Sequence, residues 1–141
     1  CLFFIHRMST LTRLEPVGLP PGQARTPDGR AVHAWRIFGS LFFGSVTKLE
    51  PLFDRQTAAP DVLILEMHQL VNLDTSGLDV LESLRRMLHK RGARLILCDL
   101  NEQPLSLLRR SGFIGRLGDG DIQPNLDAAL ALAARDPAPT G

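Results

Sequence analysis

Net charge is almost absent from this sequence. Its 141 residues carry sixteen Lys or Arg against fifteen Asp or Glu, a formal charge of +1. A dedicated nucleic-acid binder shows a strong basic excess, so that class is set aside. Disorder is excluded too: 44% of the residues are apolar, close to the globular average, and no large charge opposes collapse. Cysteine is scarce. Cys1 and Cys98 stand far apart and make no disulfide framework. His6, His33, His68 and His89 lack metal-ligand spacing. No Gly-x-Ser-x-Gly elbow, His-Glu-x-x-His pair, Walker loop or Rossmann glycine fingerprint occurs. These absences point away from an enzyme, and no cofactor or metal is called for.

What is present is enough apolar material for one domain with a real core. The chain opens Cys1-Leu2-Phe3-Phe4-Ile5-His6-Arg7-Met8, apolar first and basic after. It is too short to span a bilayer, which needs about 20 apolar residues. It also lacks the order of a secretory signal. One reading is the cut end of a membrane helix, with Arg7 and Arg13 just outside on the cytoplasmic side. The other is an expression scar or a short strand of the domain. Residues 14–30 hold Pro16, Pro20, Pro21 and Pro27 with Gly18, Gly22 and Gly29, which reads as linker or turns.

The spacing predicts a strand over residues 31–37, with Val32, Ala34 and Arg36 on one side and His33, Trp35 and Ile37 on the other. Phe38-Gly39-Ser40 reads as a turn, Leu41-Phe42-Phe43 as a buried run, and Ser45 as the cap of a helix reaching Phe53. Val62 to Met67 and Ala93 to Leu100 are nearly continuous apolar runs, the mark of strands covered on both faces of a parallel sheet. Between them Leu78, Leu81, Leu84 and Leu88 recur at helical spacing, and Gly92 ends that helix. Asn101 is the expected cap of a further helix ending near Gly112. A loop follows at Gly115, Gly118 and Gly120, then an alanine-rich helix over 125–134 and a frayed tail at 137–141. Alternating elements of this kind make an α/β layer around a mostly parallel sheet.

Few residues look chemical. Cys98, inside Leu95-Ile96-Leu97-Cys98, reads as a buried reduced thiol. Arg85, Arg86, Lys90 and Arg91 form the largest basic cluster. It is a solvated helix face, or a contact for anionic lipid or an acidic partner. Nothing in the spacing brings Asp74, Asp79 and Asp99 together. Asp74-Thr75-Ser76-Gly77 is the most informative stretch, because it lies where a strand gives way to a helix. Hydroxyl residues there are ordinary caps. The same helix start also suits an anion, so a phosphate on Thr75 or Ser76 could be held, against the opposition of Asp74.

Taken together, Leu63-Ile64-Leu65-Glu66-Met67, Val71-Asn72-Leu73-Asp74-Thr75-Ser76-Gly77-Leu78, Arg91-Gly92-Ala93-Arg94-Leu95-Ile96-Leu97 and Leu107-Leu108-Arg109-Arg110-Ser111-Gly112-Phe113 resemble a STAS domain. The resemblance covers residues 31 to about 134. It implies an α/β fold of the anti-sigma-factor-antagonist kind: a mostly parallel sheet of four or five strands with four or five helices. The implied layout is a juxtamembrane segment and Pro/Gly-rich linker over 1–30, the STAS domain over 31–136, and the tail.

Two settings are known for the family. Trp35-Arg36-Ile37-Phe38-Gly39-Ser40-Leu41-Phe42-Phe43-Gly44-Ser45 and the opening Phe3 to Thr12 are similar to SulP-type anion (sulfate) transporters, related to the SLC26 proteins. Phe38 departs from the Asp usual before that glycine. The resemblance then implies a non-catalytic regulatory domain on the cytoplasmic side of an inner or plasma membrane protein. Its partners would be the membrane domain, a cytosolic regulator and a second copy. The alternative is a free cytoplasmic anti-sigma-factor antagonist that binds an anti-sigma kinase. In either setting the implied regulatory residues are Asp74, Thr75, Ser76 and Gly77, with Thr75 the phospho-acceptor and Ser76 a helix cap. Nucleotide binding near the same helix start, suggested for STAS domains, has only that helix N-terminus in its favour here.

Overall fold

The computed structural model describes residues 13–19, 25–26, 29–41, 60–117 and 121–135. Its strands are β1 (Arg13–Pro16), β2 (Val32–Leu41), β3 (Val62–Glu66), β4 (Leu70–Leu73), β5 (Arg94–Cys98) and β6 (Ile122–Gln123). Its helices are α1 (Thr75–Lys90), α2 (Glu102–Arg110), α3 (Phe113–Leu117) and α4 (Leu126–Arg135). The strands form one sheet in the order β1-β2-β3-β5-β6, and β4 pairs with the far end of β2. Only β1 is antiparallel. The expected helix at Ser45–Phe53 and the buried run at Phe42-Phe43 lie outside the described residues.

All five residues of β3 are buried, and so are the last four of β5. Their near-continuous apolar runs were the signal for this, since helices cover both faces of a parallel sheet. On one face Leu63, Leu65, Leu95 and Leu97 meet Leu81, Leu84 and Leu88 of α1, with Leu108 and Phe113 beside them. On the other, Ile64 and Ile96 meet Ala129, Leu130, Leu132 and Ala133 of α4. Fully burying one such Leu or Ile stabilises by about 1.5–3 kcal/mol, so the two clusters fix the sandwich.

Three sequence expectations are corrected. Phe38-Gly39-Ser40 does not turn the chain; β2 runs through it to Leu41. Gly39 takes a φ of +85°, and the register shifts between Gly39 and Ser40. That bulge lets one strand pair first with β3 and then with β4. Leading into the proline-rich 14–30, Arg13–Pro16 is a strand opposite Trp35 to Phe38. Gly115 lies in the short helix α3 rather than in a loop.

Candidate functional site

The Asp74–Gly77 segment starts α1 at the end of the sheet where the parallel strands finish. Asp74 is extended, with φ −108° and ψ −178°, and its Oδ1 accepts from the Gly77 N–H at 2.9 Å. Its carbonyl accepts the first helical bond, from the Leu78 N–H at 2.9 Å. Asp74 is therefore the N-cap, and Ser76 is not. Ser76 already stands in the first helical turn, where its hydroxyl lies past the position that reaches the free amides. Thr75 is exposed at the first helical residue, Ser76 is half-buried, and Gly77 is buried. The structure thus keeps the four residues together and separates their tasks. Asp74 holds the helix start, Gly77 supplies the amide, and Thr75 is exposed.

Two residues at the start of α2 hold this start in place: Gln103, which the sequence did not single out, and Asn101, which it marked only as a helix cap. Gln103, early in α2, accepts from the Leu73 N–H at 2.8 Å through Oε1 and donates to the Leu73 carbonyl at 2.9 Å through Nε2. Its amide acts as one more strand residue alongside β4. Asn101 donates through Nδ2 to the carbonyls of His68 and Leu70, both at 2.8 Å. It stands at the N-cap position of α2 but makes no side-chain cap bond there, because its amide serves β4 instead. The sequence marked Asn101 as a helix cap, but nothing in its local pattern pointed to the bonds that it and Gln103 make to β4.

Below the rim formed by this end of the sheet, where the parallel strands finish, a polar row crosses the sheet, with Glu15 opposite Arg36, Arg36 opposite Glu66, Glu66 opposite Cys98 and Cys98 opposite Gln123. The Arg36 guanidinium grips Glu66 with two bonds, at 2.7 and 2.8 Å. Glu66 is 7% exposed, so this pairing is what makes its burial tolerable. The hydrogen bonding that Arg36 donates to Glu66 also raises the Arg36 pKa and secures its charge. Burial, then the charges of Glu66 and Asp99, push the Cys98 thiol up to about 12. A thiol held neutral is no nucleophile, as expected of a core cysteine. Asp99 takes a φ of +60° and approaches His68 at 3.8 Å. Asp74, at the cap of α1, and Asp79, within it, are both exposed. Among the described residues no group of three His, Cys, Asp or Glu could hold a metal ion.

The basic cluster divides in the same way. Arg85 is spent on Glu82 at 2.6 Å, which Arg116 of α3 also reaches at 3.1 Å. These hydrogen bonds, that from Arg85 first, lower the Glu82 pKa. Arg86, Lys90 and Arg91 are exposed.

A mostly parallel sheet between two helical layers, with a capped and exposed helix start at one end, defines a small α/β module. The chain belongs to the STAS domain family, whose sequence model matches residues 27–129. It is 34% identical over 118 residues to "Putative sulfate transporter YvdB" of Bacillus subtilis (strain 168), covering 83% of this chain and 22% of that protein. The chain thus spans about a fifth of that relative's length. Among solved structures it is similar to a sulfate transporter family protein from Wolinella succinogenes, with 29% identity, a TM-score of 0.69, and 82% and 88% of the two chains covered. It shares its fold with the anti-sigma factor antagonist SpoIIAA, at 18% identity, a TM-score of 0.61, and 84% and 94% coverage. Among the described residues no helix is long and apolar enough to cross a membrane.

Proposed function

We propose that this STAS domain is the non-catalytic regulatory and protein-interaction part of a SulP-type secondary transporter of sulfate-like anions, on the cytoplasmic side of its membrane. The observation that carries the reading is the 34% identity to a transporter sequence across most of this chain. The likeness to SpoIIAA, at 18% identity, concerns the fold alone and does not favour the free antagonist. In this reading Asp74, Thr75, Ser76 and Gly77 form the regulatory loop, and Thr75 accepts the phosphate. Its exposure beside a capped helix start supports that role. A phosphate there adds about −1.5 to −2 charges next to Asp74, which changes what the rim can bind without entering the core.

The test begins with the reading frame upstream of Cys1. A transporter encodes repeated apolar stretches of about 20 residues there. Anion flux is then compared in the full chain, in a chain without residues 13–135, and in Thr75→Ala. Flux that ignores both changes refutes the regulatory role. A start codon within a few dozen residues, with no apolar stretch, refutes the transporter. The antagonist reading then takes over, with Thr75 phosphorylation by a partner kinase as its test.

A further inference from the structure

We propose that the surface formed by the later half of α1, the end of α2 and the short α3 docks an acidic helix of a partner protein, which deepens the protein-interaction role given above. Arg116 of α3 ties the three helices together. Its guanidinium reaches Glu82 of α1 at 3.1 Å. A Cβ added to Gly112, just past α2, would lie 3.5 Å from its Nη1. Beneath them Leu84, Leu88, Leu108 and Phe113 share one core cluster, so the helices lie on the same face of the sheet. The exposed cations of this surface are Arg86, Lys90 and Arg91 from α1 and its cap, Arg109 and Arg110 from α2, and Arg116.

Helix dipoles account for only part of this charge. A dipole favours cations in the last turn, where Lys90, Arg109 and Arg110 stand. Arg86 lies a turn too early for that. It also precedes Lys90 by four residues, and like charges at that spacing disfavour a helix. Among the described residues no ion pair engages Arg86, Lys90, Arg91 or Arg109. The acids nearby are few or already engaged. Glu82 is shared by Arg85 and Arg116. Asp121 is paired with Arg94, and Asp61 accepts from the Ala31 N–H. Asp79 stands seven residues before Arg86 and Glu102 eight before Arg110, about 10 and 12 Å back along their helices.

Glu82 shows what this surface binds. Guanidinium groups from two helices hold its one carboxylate, and the free cations beside it offer a partner's Asp or Glu the same charge-assisted bonds. Arg86 and Lys90 lie about 6 Å apart along α1, which matches carboxylates one turn apart on a partner helix. A protein fits better than a lipid surface. Helical surfaces that bind bilayers add inserted apolar side chains to their cations. Val71, the exposed large hydrophobic among the described residues, lies on β4, at the other end of α1.

The probe is a fluorescein-labelled helical peptide with Glu at every fourth position, beside a second peptide with Gln in place of Glu. Fluorescence anisotropy with the 141-residue chain follows binding at about 0.15 M salt. The Glu peptide should bind and the Gln peptide should not. Arg86→Glu and Arg109→Glu, on different helices, should each weaken binding by about tenfold or more while circular dichroism stays unchanged. Arg25→Glu makes the same change of net charge on an exposed residue ahead of β2 and should alter binding by less than about twofold. Equal losses from all three variants would mean attraction to net charge alone and overturn the proposal. So would equal binding of the two peptides, or no binding of the Glu peptide. Adsorption to phosphatidylserine vesicles that Arg86→Glu abolishes, with no binding of the Glu peptide, overturns it in favour of a lipid surface. None of these results touches the upstream reading frame, which decides the transporter reading separately.

Discussion

The division of labour within Asp74–Gly77 is open to direct measurement. Asp74→Ala removes the acceptor of the Gly77 N–H, which lies 2.9 Å from Oδ1. Losing such a cap costs about 1 kcal/mol, and losing the negative charge at the positive helix end adds about 0.3–1 kcal/mol. The sum, about 1–2 kcal/mol, lowers the Tm of a domain this size by roughly 3–8 °C. Asp74→Asn keeps an oxygen in place and gives up only the charge, so it should lie near the wild type. Thr75→Ala should stay within about 0.5 kcal/mol of wild type, because an exposed side chain with no hydrogen bond is removed. Thr75→Glu should also fold normally, since an acid in the first turn suits the dipole. Urea and thermal unfolding followed by circular dichroism read all four. The reasoning fails if Asp74→Ala melts with the wild type. It fails equally if Thr75→Ala costs as much as Asp74→Ala, because Thr75 would then be a structural residue.

Other consequences follow from the contacts around the site. Gln103→Leu strips the Leu73 N–H and carbonyl of their partner at once. It should cost about 1–3 kcal/mol and raise hydrogen exchange in β4 before α1; unchanged exchange would show that water replaces the amide fully. The Cys98 thiol, raised from 9.0 to about 12, holds about a thousandfold less thiolate than a free thiol at neutral pH. Its alkylation should wait for unfolding, and fast native labelling would contradict its burial. The same shift gives Cys98 a contribution to stability that is complete below pH 9.0 and lost as pH rises from there toward 12, a loss that Cys98→Ala should remove. Glu82 shifts the other way, below its ordinary 4.5. Its contribution is present above that pH and lost as pH falls below it, so Glu82→Gln should flatten the acid limb of a stability-pH curve.

Much of the architecture was legible because it repeats. The leucines of α1 recur at the helical period, and β3 and β5 are apolar runs that only a doubly covered strand tolerates. Gly92, with a φ of +73°, marked the end of α1 for the reason glycine usually does. β1, β4 and β6 were not legible. They span four, four and two residues, too few to display a period, and each exists because a neighbour supplies its hydrogen bonds. β4 depends on Gln103 and Asn101, about thirty residues further along the chain.

The candidate site divides along the same line. By itself the sequence determined that a helix begins near Asp74, that Cys98 is buried, and that the chain resembles a STAS domain, since these rest on local composition and order. Only the tertiary structure decided that Asp74 rather than Ser76 caps α1. Asp, Thr and Ser are all competent caps, and the residue that stays extended while its carbonyl starts the helix is fixed by how β4 is anchored. It also decided that Arg36 pairs with Glu66. That fact belongs to strand order and direction, which no local stretch of sequence encodes.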